Sequence, residues 1–418
     1  MIKDYVMNSV QLINQPLGGQ IGNYLQSYLE SSKFNKLIIV VAFAKNSGVL
    51  RLKKAFETFR KSGARIEAYV GIDLDGTSYE ALISLLKIAN KLTVVHLESG
   101  QTFHPKIYSF SSEDECVLIV GSNNLTSGGL WTNIETSMVF TEDGDAEASE
   151  VQKELNSFIE QLEATSNICF EIKNESDIDN LLTEGYISKE AKTRIARNAR
   201  IYREAGQPTR FAKKLEANLP KIEHFLINTE GDELAPIKDV KPKEAVPTAL
   251  VEEDSSIMWF ETKRMTGGSR NILDLSKTAA VVKGDPATTQ FSLGESDLME
   301  GGVRFFGVDP SDVSAVKDIV INYDGIDYVG NTIKYPEGDR ANGTWRLQIK
   351  GRAEDGTRIT EALGPEYLVN KIITFTKVDD GYYFMAVFDA DDMEEFEEVS
   401  KIVAHNGLSR NSRLLGLL

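Results

Sequence analysis

The chain has 418 residues, a length that predicts two or three domains. Hydrophobic residues make up 41% and charged residues 26%, a globular composition that excludes disorder of the whole chain. The 46 Lys/Arg against 63 Asp/Glu give a formal net charge of −17, which taken alone argues against nucleic acid and anionic lipid as partners. The two cysteines, Cys116 and Cys169, exclude a disulfide framework and a cysteine-rich zinc site, and suit a reducing, cytoplasmic setting. No apolar h-region follows Met1-Ile2-Lys3-Asp4, so no signal peptide is expected. No run of about 18 apolar residues occurs, so no membrane span is expected.

In chain order, residues 21–32 read as a helix around Ile21, Leu25 and Leu29. Residues 36–43 (KLIIVVAF) are an apolar, β-branched run that suits a strand buried on both faces. Helices are expected at 47–62, 78–90 and 145–164, and strands at 65–71, 92–97, 105–110, 116–121 and 133–140. Alternating βα units followed by strands predict an α/β domain over 1–165, a mixed sheet flanked by helices. Residues 185–221 hold ten Lys/Arg against three acids, a local balance of +7. Arg194, Arg197 and Arg200 fall on neighbouring parts of one helical face. This region is either a solvated helix or a phosphate-facing surface. Together with the proline- and acid-containing stretch 229–256 it forms a basic helical region and linker, 166–256.

From 257 to 418 short strand-like runs appear at 257–262, 279–283, 303–308, 318–323, 326–333, 344–351, 371–376 and 382–388. The turn residues between them predict a mainly-β barrel or sandwich. Residues 391–403 read as an acidic amphipathic helix, with the acidic run 389–398 as its solvated face.

The chemistry concentrates at 102–140. His104-Pro105-Lys106 lies on an incoming strand, where positions i and i+2 share a face, so His104 and Lys106 stand side by side. An imidazole beside an ammonium suits work on a phosphate: the lysine neutralises an oxygen while the imidazole attacks phosphorus or moves a proton. The apolar strand 116–120 runs into Gly121-Ser122-Asn123-Asn124, a turn whose small residues let backbone N–H groups approach an anion. Ser122 and Asn124 are candidate donors to phosphoryl oxygens. Glu135, on the next strand, is placed to fix the histidine tautomer. Asp73 and Asp75 read as turn formers rather than as a magnesium site.

The order HxK, a strand-length gap, then GSxN resembles the signature of the phospholipase D superfamily. The family's usual acid five residues after the lysine is here Ser111, which departs from the lipid-hydrolase pattern. The spacing of His104, Lys106, Asn124 and Glu135 is similar to that of the metal-independent restriction endonucleases of the BfiI, NgoAVII and NgoFVII type. That resemblance implies a phospholipase D-like nuclease domain over 1–165 and a C-terminal B-three-like DNA-binding pseudobarrel over 257–418. It implies a catalytic set of His104, Lys106, Asn124, Glu135 and Ser122, with no metal and no cofactor. Superfamily sites need two HxK motifs, and none of His96, His224 and His405 has a lysine two residues on. The resemblance therefore implies a homodimer that brings two copies of His104 to one site.

In the C-terminal part, Lys263, Arg264, Arg270 and Asn271 form one polar cluster, and Tyr335, Arg340, Asn342 and Arg346 a second. Arg and Asn are the side chains that read guanine and adenine edges, so these are candidate DNA contacts, with polar loops as the alternative. Trp259 and Trp345 are expected in the core. The absence of a GxxxxGK[ST] loop leaves the chain without a nucleotide-driven motor of its own. The resemblance admits a separate ATPase or helicase subunit and implies a cognate methyltransferase. The reading is thus a sequence-specific double-stranded DNA endonuclease of a restriction-modification system in phage defence. The alternatives are an inactive phospholipase D-like DNA-binding or scaffold protein, and a phosphodiesterase on lipids.

Overall fold

The computed structural model describes residues 9–98, 101–143, 149–193, 217–225, 257–263, 271–336, 344–364, 366–409 and 412–418. These fall into two units, one drawn from residues up to 223 and the other from residues 224 onward.

The first unit is built on β1 (Ser9–Gln15), α1 (Ile21–Glu30), β2 (Lys36–Val41), α2 (Asn46–Lys61), β3 (Arg65–Gly71), α3 (Tyr79–Ile88), β4 (Lys91–Val95), β5 (Lys106–Ser111), β6 (Glu115–Gly121), β7 (Glu135–Asp143), α4 (Glu150–Ala164), β8 (Cys169–Ile172) and α5 (Glu175–Thr183). The strands form one sheet in the order β1-β7-β6-β5-β2-β3-β4-β8. β2, β3 and β4 run parallel, whereas β5 is antiparallel to β2, β6 to β5 and β7 to β6.

The central strand shows why this sequence makes this sheet. Leu37 to Val41 are all buried, and a strand sends alternate side chains to opposite faces. Leu37, Ile39 and Val41 pack with residues of α1, α2 and α3, while Ile38 and Val40 pack with Leu155 and Ile159 of α4. Each large apolar side chain so enclosed contributes about 1.5–3 kcal/mol. The helices start where the sequence supplies caps: Ser78 accepts from the Ala81 amide, Ser149 from that of Gln152, and Asn174 and Asp177 make a capping box.

β8 and α5 continue the sheet and core past residue 165. β1, at the opposite edge, pairs with β7 in a register that sets Gln15 opposite Glu135.

Among the described residues the second unit has eleven strands in one sheet: β9 (Ile257–Glu261), β10 (Ile272–Leu275), β11 (Thr278–Lys283), β12 (Leu298–Glu300), β13 (Val316–Tyr323), β14 (Ile326–Lys334), β15 (Trp345–Gln348), β16 (Lys371–Asp379), β17 (Tyr382–Asp389), β18 (Ile402–His405) and β19 (Leu414–Leu417). Pairing is antiparallel except between β13 and β17. Trp259 and Trp345 are fully buried, as expected of core anchors.

Two expectations need correction here. Residues 303–308 were expected as a strand, but Gly302–Phe305 is a short helix. Val303, Phe305 and Phe306 are all buried, and a short run that is apolar on every side carries no period to separate helix from strand. Gly302 is required at its start, since a Cβ there would lie 2.6 Å from the Phe260 ring. The expected helix over 391–403 ends at Val399, because residues 402–405 are captured by pairing with β11 and β19.

Candidate active site

The sheet topology gathers the reactive side chains at one edge. The C-terminal ends of β2, β3, β4 and β6 and the N-terminal ends of β5 and β7 all face the same way. In open α/β sheets this edge is where ligands bind. Phe43, Asp73, His96, His104, Lys106, Ser122, Asn124 and Glu135 all lie there.

His104 is exposed and stands one residue ahead of β5, separated from it by Pro105, while Lys106, the first residue of the strand, is buried. Lys106 Nζ lies 2.7 Å from His104 Nδ1 and 3.1 Å from Nε2, and donates to the His104 carbonyl at 2.9 Å. The side-by-side placement expected of the HxK spacing is therefore present, although the strand begins only at the lysine. The imidazole also stands edge-on to the Phe43 ring, with centroids 5.5 Å apart. Both members of the pair are shifted. Burial and then the Lys106 charge lower the His104 pKa. Burial lowers that of Lys106, opposed by the Glu135 carboxylate. At neutral pH the imidazole thus favours its neutral, nucleophilic form.

Asn124 is fixed through its oxygen: Oδ1 accepts the Phe43 amide at 3.2 Å, leaving its NH2 group as the donating end. Phe43 consequently touches both His104 and Asn124. The turn depends on glycine for close packing. A Cβ on Gly121 would collide with Ser137 and Thr136 of β7, and one on Gly129 would collide with the Asn124 backbone.

Glu135 hydrogen-bonds to the Ser122 hydroxyl and, at 3.2 Å, to Asn133 Nδ2. It influences Lys106 electrostatically, but its hydrogen bonds go to these residues rather than to His104. The sequence placed Glu135 on the imidazole; the register of β6 and β7 instead sets it beside the Ser122 turn.

Sequence reasoning missed the floor beneath this turn. Gln15 Nε2 donates to the carbonyls of Gly128, Gly129 and Asn133 at 3.2, 3.0 and 3.2 Å, and its Oε1 accepts the Ile21 amide at 3.1 Å. Buried Asn123 donates to the Gly129 carbonyl at 2.6 Å and accepts from Ser137, while Tyr108 donates to the Asn123 carbonyl at 3.1 Å. The mixed run SVQLINQ that forms β1 carries no clean period that would have marked Gln15. Asp73 also does more than form a turn: it is buried and contacts His96 and the Phe103 amide. Among the described residues, no three His, Cys, Asp or Glu side chains gather as a metal site requires.

The candidate DNA contacts in the second unit separate. Lys263 is ion-paired with Glu261 at 3.6 Å. Asn271 accepts the Ile349 amide through its carbonyl, and half-buried Arg346 sits opposite Asp274, which places these two on the paired strands β10 and β15 or at their start. Tyr335 stacks edge-on against Trp345 and receives Lys277 over its ring at 5.1 Å. Arg264, Arg270, Arg340 and Asn342 lie outside the described residues, as do Arg194, Arg197 and Arg200.

No curated protein matches the chain. Among solved structures it is similar to Nuc from Salmonella typhimurium, a phospholipase D family member, with 20% identity over 40% of this chain and 99% of that one, TM-score 0.29. It is similar also to NucT from Helicobacter pylori, with 16% identity over 39% and 99%, TM-score 0.30. The family model for the NgoFVII restriction endonuclease N-terminal PLD domain matches residues 25–180, the span that holds every catalytic candidate. Over residues 25–180 the chain is thus similar to the N-terminal phospholipase D-type domain of the NgoFVII restriction endonuclease.

Proposed function

We propose that the protein is a sequence-specific, metal-independent double-stranded DNA endonuclease of a restriction-modification system, working as a homodimer. The carrying observation is the contact of Lys106 Nζ with the His104 imidazole at the open sheet edge, inside the restriction-endonuclease domain.

In this reading a His104 ring nitrogen attacks phosphorus and the P–O bond to the leaving strand breaks, giving a phosphohistidine. His104 of the partner subunit donates a proton to the leaving oxygen. Water then attacks phosphorus, that second imidazole takes its proton, and the P–N bond breaks to restore His104. Lys106 and the Asn124 NH2 group stabilise charge on the non-bridging oxygens, and Ser122 adds a donor when its hydroxyl proton turns from Glu135 to the phosphate. Glu135 holds Ser122 and supplies a negative charge near Lys106. The donor set of an ammonium and an amide beside the imidazole supports a route that needs no metal.

Residues 257–418 serve as the B-three-like pseudobarrel that recognises sequence, with Asn271 and Arg346 among its base-reading side chains. A cognate methyltransferase protects the host sites, and a separate ATPase or helicase subunit is a further partner in a cytoplasmic setting. The test is cleavage of duplex DNA in EDTA by the wild-type protein and by His104→Ala. Cutting by the first and none by the second is expected. Cutting by both would overturn the reading, and so would strict dependence on added metal.

A further inference from the structure

His96 has no role in the reaction as written, yet it stands at the same sheet edge, immediately after β4. Its Nδ1 lies 2.6 Å from Asp73 Oδ1, and the other oxygen of Asp73 accepts the Phe103 amide at 2.9 Å. Asp73 is buried, so it is a fixed carboxylate that joins His96 to the backbone of the residue before His104. With Nδ1 committed to Asp73, Nε2 is the nitrogen left for a ligand.

An anion already stands there. Glu98 Oε2 lies 4.0 Å from His96 Nε2, and the Tyr186 hydroxyl donates to Glu98 Oε1 at 2.7 Å. The Tyr186 ring stands edge-on to the imidazole, with centroids 5.3 Å apart. Glu98 itself is a surface side chain, 77% exposed. An exposed carboxylate flanked by two donors, one backed by a buried acid, has the form of an anion cradle filled from within. A phosphodiester offers the same single negative charge on two oxygens.

We propose that His96 and Tyr186 bind a DNA phosphate flanking the one at His104, and that Glu98 occupies this cradle until DNA displaces it. The proposal rests on the nuclease reading. In the bound state His96 Nε2 and the Tyr186 hydroxyl face the phosphate oxygens, while Asp73 holds Nδ1. Glu98 turns outward into solvent.

The test is a fluorescence anisotropy titration of a random-sequence duplex across a salt series, using the full chain. His96→Gln is expected to weaken binding about 5- to 10-fold and to lower the salt slope by about one phosphate contact. Tyr186→Phe is expected to weaken it less. Glu98→Gln, a surface change that leaves folding intact, is expected to tighten binding about 3-fold. Wild-type DNA cleavage with unaltered affinity and slope in His96→Gln and Glu98→Gln would overturn the cradle and leave the nuclease reading standing. Lost cleavage in His96→Gln at full affinity and slope would also overturn it, by making His96 a positioning residue. No DNA affinity in the wild-type protein would remove both.

Discussion

Lys106 Nζ stands 2.7 Å from His104 Nδ1, a positive charge against the ring proposed as nucleophile. Two cations at this distance repel, so the pair is stable only if one gives up its proton. Burial and the lysine charge together lower the His104 pKa. The acid limb of kcat/KM for DNA cleavage should therefore fall below the ordinary histidine value of 6.5. Lys106→Ala removes the charge that depresses it, so the limb should move up in pH. The same variant should lose about 10²- to 10³-fold in rate through lost stabilisation of phosphoryl oxygens. A pH–rate profile of the two proteins checks both effects.

Asn124 is held by the Phe43 amide through its oxygen, which leaves the NH2 group to donate. Asn124→Asp preserves the acceptor but places a negative charge where a donor is needed. Its cleavage rate should drop at least as far as that of Asn124→Ala, with folding unchanged. Single-turnover rates beside melting curves make the comparison.

Gly121 packs directly on Ser137 of β7. Gly121→Ala should cost about 1–3 kcal/mol by overpacking. In a unit of this size that corresponds to a fall of several degrees in Tm, read by calorimetry. The effect should be on stability first, with the chemical step affected only through the adjoining Ser122 turn.

Buried Glu80 accepts the Glu190 amide at 3.0 Å, and Glu190 in turn accepts from the Asn46 amide and the Ser78 hydroxyl. Burial, then the Glu190 charge, push the Glu80 carboxyl up to about 8. A carboxyl raised in the folded state binds its proton more tightly there than in the unfolded chain. Its contribution to stability is thus full below about 4.5 and declines as pH rises through about 8. Glu80→Gln should flatten that decline between those limits, as measured by urea unfolding at a series of pH values.

The first unit's elements were legible because its strands are apolar runs with clean turns between them: 36–43, 65–71 and 116–121 all occur as strands. β1 and β8 were not, since edge strands such as SVQLINQ and CFEI carry mixed residues and depend on pairing with β7 and β4. The HxK and GSxN spacings placed His104, Lys106, Ser122 and Asn124 on one edge because strand geometry dictates it. The partners of Glu135 were not legible, because they follow from cross-strand register rather than from spacing. In the second unit β10, β18 and β19 escaped because each has only four residues, too few to show a period of their own.

The charge of −17 is also a matter of place. Residues 251–418 hold 18 Lys/Arg against 29 Asp/Glu, whereas the stretch 185–221 holds ten Lys/Arg against three acids. Non-specific DNA affinity should consequently be weak and fall steeply with salt, so that specific contacts carry recognition.

The central claim is that His104 forms a covalent bond to phosphorus. The direct measurement is rapid quenching of wild-type protein with end-labelled duplex in EDTA, followed by denaturing electrophoresis and peptide mapping. An acid-labile protein–DNA adduct on the peptide containing His104, absent in His104→Ala, is the predicted result. Cleavage by the wild-type protein with no adduct at any quench time, together with full cutting by His104→Ala, would contradict it.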